Sequence, residues 1–101
     1  MKVRAILRDA TVQVKMLIKH PMETGRRKDE EGNILPAHYI TEIKAVCKGD
    51  DVFRAEVGPG VSMDPYISFA FDGANTGDTL TISWKDNKGE SETLDVVISG
   101  A

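Results

Sequence analysis

A chain of 101 residues with 41% apolar and 29% charged side chains has the size and balance of one ordinary globular domain, expected to span residues 1–101, and excludes disordered, collagenous and low-complexity readings. Its net charge of -3, from 13 Lys/Arg against 16 Asp/Glu, gives no overall positive field to attract a phosphate backbone, so nucleic acid is not an expected partner. No apolar run approaches the roughly 20 residues that a spanning helix needs, so no membrane partner is expected either.

In chain order, the first element is the alternation Val3, Ala5, Leu7, interleaved with Lys2, Arg4 and Arg8. These charges also make the start a poor secretory leader. Val12, Val14, Met16 and Ile18 then alternate with polar neighbours, a period of two that lines one face of a strand. A weaker third run, from Tyr39 to Cys47, carries Ile43, Ala45 and Cys47 on one side and Glu42 and Lys44 on the other. Four more follow: Phe53, Ala55, Val57; Ile67, Phe69, Phe71; Leu80, Ile82, Trp84; and Leu94, Val96, Ile98.

Turn-rich stretches separate these runs: Asp9-Ala10, Lys48 to Asp51, Asp72 to Asp78, and Lys85 to Glu90. Glycine supplies positive φ there, and Asn or Asp bond their own backbone. No helical spacing is sustained. Seven short strands in this length predict an all-β, immunoglobulin-like sandwich of antiparallel strands, with Trp84 anchoring a core that has no disulfide beside it.

Two connections exceed a hairpin's needs: His20 to Ala37 and Gly58 to Pro65. Ordered loops of this length commonly carry function. If strand direction alternates, both loops and the Lys85–Glu90 turn gather at one end of the sandwich. Gly58-Pro59-Gly60 has neither a following helix nor a GK[ST] sequence, so it is not a phosphate cradle. It reads as a rigid turn whose glycines permit another backbone to approach.

These residues admit several chemistries. His20 and His38 flank the long loop, and closure of its ends would bring the imidazoles together, with Cys47 as a third donor for iron, copper or zinc. The iron-dependent superoxide reductases, which also use an immunoglobulin-like sandwich, need four histidines and a cysteine, and this chain has two histidines. The plainer expectation is that both histidines bond loop backbone at strand ends. Cys47 lies in phase with Ile43 and Ala45 and reads as a small buried hydrophobe. One cysteine makes no internal disulfide. Serines 62, 68 and 83 lack a GxSxG context. Arg26-Arg27-Lys28 followed by Asp29-Glu30-Glu31 nearly cancels in charge and reads as a solvated loop, whose cations still offer a local anchor for an anion or acidic partner.

The string His20-Pro21-Met22-Glu23-Thr24-Gly25-Arg26-Arg27-Lys28-Asp29, then Pro36-Ala37-His38-Tyr39-Ile40, resembles the SoxZ family of the bacterial thiosulfate-oxidising Sox system. The resemblance continues through Gly58-Pro59, Ser62, Pro65-Tyr66, Phe69, Gly77-Asp78, Trp84 and Asp86-Asn87-Lys88-Gly89, nearly the whole chain. It implies a non-catalytic subunit, with no cofactor, that forms a heterodimer with SoxY. SoxY carries the sulfur intermediates on the cysteine of a C-terminal Gly-Gly-Cys-Gly-Gly arm, a motif not found in Val97-Ile98-Ser99-Gly100-Ala101. It also implies a periplasmic location, with export alongside the partner, and transient contacts with the other Sox enzymes.

The expected partner-binding surface is the loop-rich end: His20, Met22, Glu23, Arg27 and His38 from the long loop, with Pro59, Ser62 and Tyr66 from or beside its neighbour. Met22 and Tyr66 are the expected apolar anchors, and Arg27 the expected partner of a carboxylate or anionic sulfur group. The alternative for each is that the string holds the loop's own shape. The rival functions are a metal-dependent redox module built on His20, His38 and Cys47, and a free-standing accessory sandwich.

Overall fold

The computed structural model describes residues 1–100 and is all-β. Its strands are β1 (Lys2–Arg8), β2 (Thr11–Leu17), β3 (Ile40–Cys47), β4 (Asp50–Glu56), β5 (Tyr66–Asp72), β6 (Thr79–Asp86), β7 (Ser91–Val97) and β8 (Ser99–Gly100). They form two four-stranded sheets, ordered β5-β2-β1-β8 and β4-β3-β6-β7. The chain crosses between the sheets after β2, β4, β5 and β7, the crossed connectivity of a β-sandwich.

Period-two alternation decides which face turns inward. In β2, Val12, Val14 and Met16 are buried while Gln13, Lys15 and Leu17 are exposed. Ile43, Ala45 and Cys47 of β3 and Leu80, Ile82 and Trp84 of β6 face them in one buried cluster. Full burial of each large aliphatic side chain there contributes roughly 1.5 to 3 kcal/mol. Phe53 of β4 stacks on Phe69 of β5 at 4.2 Å between ring centroids and closes one flank. Trp84 is buried beside the His20 ring, which meets it edge-on at 5.3 Å, and its indole N–H donates to Glu92 Oε1 at 3.1 Å.

The seventh run departs from its expected form. Leu94, Val96 and Ile98 share one phase, but the strand breaks after Val97. Ile98 turns into the core, bonded through its backbone to Asp78 and Gly77. Ser99 and Gly100 then join the other sheet, parallel to Ile6 and Leu7 of β1. Hydrophobic phase fixes which side chain goes inward, whereas the pairing partner depends on where the opposite sheet edge lies.

Candidate functional site

The connections after β2, β4 and β6 meet at one end of the sandwich, as strand alternation requires. The long β2–β3 connection is itself a small ribbon. Glu23 and His38 exchange both backbone hydrogen bonds, at 2.7 and 2.9 Å, and Leu35 N–H donates to Arg27 O at 2.8 Å. At its tip Asp29 Oδ1 accepts the amides of Glu31 and Asn33, both at 2.9 Å. Gly25 sits at φ +83°, where a Cβ would lie 3.2 Å from Ala37 Cβ, so the ribbon's base needs glycine for both conformation and space.

The β4–β5 loop is tied to the ribbon's root. Asp64 N–H donates to His20 O, and Asp64 Oδ1 accepts the His20 amide, each at 2.9 Å. The β6–β7 turn is stitched on by Asn87, whose Oδ1 accepts the Tyr39 amide at 2.8 Å and whose Nδ2 donates to Ala37 O at 2.9 Å.

Beneath these loops lies a buried polar cluster. Asp86, the last residue of β6, continues the inward phase of Leu80, Ile82 and Trp84 and is only 6% exposed. Its Oδ2 accepts from His20 Nε2 at 3.0 Å and His38 Nε2 at 2.7 Å; its Oδ1 accepts the amides of Lys88 at 3.0 Å and Glu90 at 2.9 Å. Burial pushes the Asp86 carboxyl up, but donation from both imidazoles and both amides outweighs it and holds the group well below the usual carboxylate range. His38 Nε2 also reaches Glu90 Oε2 at 3.1 Å. No buried side-chain nitrogen or oxygen among the described residues lacks a partner.

The cluster's chemistry follows from its tautomers. His20 Nδ1 accepts the Met22 amide at 3.2 Å, so the ring's proton sits on Nε2 and points at Asp86. Met22 stands at φ +50°, a left-handed conformation that costs a non-glycine residue roughly 1 kcal/mol or more and that this hydrogen bond supports. His20, His38 and Asp86 place one donor atom each within 4.8 Å of one another. A metal ion at His20 Nε2 would require the proton on Nδ1, facing the Met22 N–H. The cluster as built therefore suits a hydrogen-bonded clasp and not a metal centre.

Cys47 does not join it. Asp86 pairs with Ile40 at the start of β3, whereas Cys47 ends that strand, roughly 23 Å away at about 3.3 Å per residue. Burial first, then Asp78 and Asp50, push the Cys47 thiol up against the opposing effect of Lys48, the opposite of an activated thiolate. The set His20, His38 and Cys47 is not assembled. The expectation that the histidines bond loop backbone holds for His20 Nδ1, but their main partner is the Asp86 carboxylate.

Above the clasp lies an open groove of about 380 Å³, lined by residues that include Met22, Glu23, Arg27, Pro59, Ser62 and Met63. It brings together five of the eight expected surface residues. His20, at 3% exposed, lies below it and presents nothing to a partner. Met22, expected as an apolar anchor, forms part of the floor at 5% exposed, its sulfur accepting the Ile40 amide at 3.4 Å, so most of its side chain is spent in the core and little of it faces the groove. Met63, at 67%, is the exposed thioether on the rim. Arg27 is already engaged, donating from Nε and Nη2 to the two Glu23 carboxylate oxygens at 3.2 and 2.6 Å. Tyr66, at 62%, lies outside the groove on β5. Among the described residues, and apart from each glycine's own chain neighbours, nothing lies within 4 Å of a Cβ placed on Gly58 or Gly60, so no other described segment makes the close backbone approach that these glycines permit.

Asp86 is the residue that sequence reasoning passed over, taking it as a turn former. Its signal was present, since the alternation of β6 carries one step further and puts a carboxylate in the buried phase.

The family model described as Sulphur oxidation protein SoxZ matches residues 1–97. No curated protein matches the chain.

Proposed function

The chain belongs to the SoxZ family and so has a role in sulfur oxidation; on that premise we propose that it is the non-catalytic companion of a SoxY-type subunit, in the periplasm, and that the groove at the loop-rich end receives that partner. The observation that carries this reading is the contrast between clasp and groove. The two histidines weighed as metal ligands are consumed in hydrogen bonds to Asp86, while the surface they hold up is open, partly apolar and shaped by two ordered loops.

The groove offers what a protein partner uses. Met63 and Val61 supply exposed apolar surface on its rim, and Gly58 and Gly60 leave room for an approaching main chain. The Glu23–Arg27 pair presents a fixed fork whose remaining donors can meet a carboxylate. A thiol on a glycine-rich tether reaches several active sites, but each enzyme must still recognise the body that carries it. This subunit enlarges that body and docks the other Sox enzymes.

Co-expression with a SoxY-type subunit tests the reading. A stoichiometric complex on gel filtration supports it; elution as two separate species contradicts it.

A further inference from the structure

The outer face of the β5-β2-β1-β8 sheet differs from the rest of the surface. Register places Lys2 beside Leu17 and Tyr66, Arg4 beside Lys15 and Ser68, Ile6 beside Gln13 and Ala70, and Arg8 beside Thr11 and Asp72. All of these alternate with the inward-facing core residues and so point outward. Four of the chain's 13 Lys/Arg stand on this face, in a molecule of net charge -3. Its one carboxylate, Asp72, occupies a corner and accepts a hydrogen bond from Thr11 Oγ1 at 2.8 Å.

Among the described residues, Lys2, Arg4, Arg8 and Lys15 form no ion pair. The opposite sheet behaves differently: Lys44 pairs with Asp51 at 3.5 Å, and Arg54 and Lys85 with Glu42 at 3.1 and 3.8 Å. Like charges directly opposite one another in an antiparallel pair are unfavourable. Arg4 against Lys15 therefore weakens the isolated chain and asks for a counter-charge from outside it. Apolar surface is interleaved with the cations. One depression of about 280 Å³ is lined by residues that include Arg4, Lys15, Leu17 and Tyr66, and a smaller one of about 120 Å³ by Arg4, Ile6, Arg8, Gln13 and Lys15.

We propose that this basic face docks a protein with an acidic surface, whose carboxylates meet Arg4 and Lys15 while an apolar side chain covers Leu17 and Tyr66. A second copy of the chain does not fit, because face-to-face pairing would oppose two basic rows. A phosphate polymer or anionic bilayer would gain the same cations but meet the negative charge of the rest of the molecule and leave the apolar residues unmatched. The face is distinct from the loop-end groove, and the proposal stands apart from the SoxY reading.

The test uses the isotopically labelled full chain titrated with poly-L-glutamate, with a DNA duplex and phosphatidylglycerol vesicles as parallel arms. Amide shifts should map to β1 and β2 around Arg4 and Lys15, and affinity should fall about ten-fold in the Arg4→Thr/Lys15→Thr double variant. Relieving the like-charge pair should also raise the variant's midpoint by about 2 °C. Shifts centred instead on Arg26 to Lys28, undiminished affinity in the double variant, tighter binding to duplex or vesicles, or a lowered midpoint would overturn the proposal.

Discussion

The two ends of this sandwich solve the same problem by different means. At the end carrying the β1–β2, β3–β4 and β5–β6 turns, the first two are tight, with Asp9, Ala10, Lys48 and Gly49 at positive φ, and the flanking groups sit in water, as in the Lys48–Asp78 pair at 3.1 Å. At the other end, two long loops and a turn converge on a buried carboxylate that accepts four hydrogen bonds. Short turns need little beyond residues that tolerate their dihedrals. Long loops lose more conformational freedom when ordered, and here both histidines of the chain are committed to offsetting it. The difference teaches that the loop-rich end is held in one shape, as the proposed docking role requires.

The sharpest break in this contrast is Asp86→Ala. It strips two imidazoles and two amides of their acceptor and should cost about 3 to 5 kcal/mol in urea denaturation. Lys48→Ala, at the opposite end, should leave the midpoint unmoved.

Acid should act on the same end. Because the fold holds the Asp86 carboxyl below its ordinary value, its stabilisation is complete above about pH 4, the unfolded carboxylate value, and fades as pH falls through and below that range. Urea midpoints measured against pH should fall more steeply for the parent than for Asp86→Asn.

His38→Ala, at a half-buried position, leaves Asp86 three of its four donors and should cost about 1 to 2 kcal/mol. At the loop-rich end itself the smallest effect belongs to Arg27→Ala. Its ion pair with Glu23 is exposed, and the thermal or chemical midpoint should change by less than about 0.5 kcal/mol in equivalent stability.

Much of this was legible in the sequence because alternation is a local signal. The inward set Val12, Val14, Met16, Ile18 reads directly, and with it the strand directions that bring His20, the Gly58–Pro65 loop and the Lys85–Glu90 turn to one end. The approach of the two imidazoles followed from closing the loop, and their rings lie 4.5 Å apart between centroids. Two features were obscured. Asp86 belongs at once to a strand and to a turn, and its turn chemistry masked its buried phase. Met22 looked like a surface anchor because nothing local reveals that a left-handed residue folds its side chain under the ribbon, where Ile40 meets it. Both depend on contacts between segments far apart in the chain.

The central claim is that the shape of the loop-rich end serves docking and can be separated from what holds it together. Isothermal titration of a SoxY-type subunit against the Arg27→Ala/Ser62→Tyr double variant, which strips and fills the groove without touching the clasp, tests it most directly. The account predicts binding weakened by about ten-fold with an unchanged unfolding midpoint. Parent-like affinity, or a loss of binding that merely tracks a loss of stability, would contradict it.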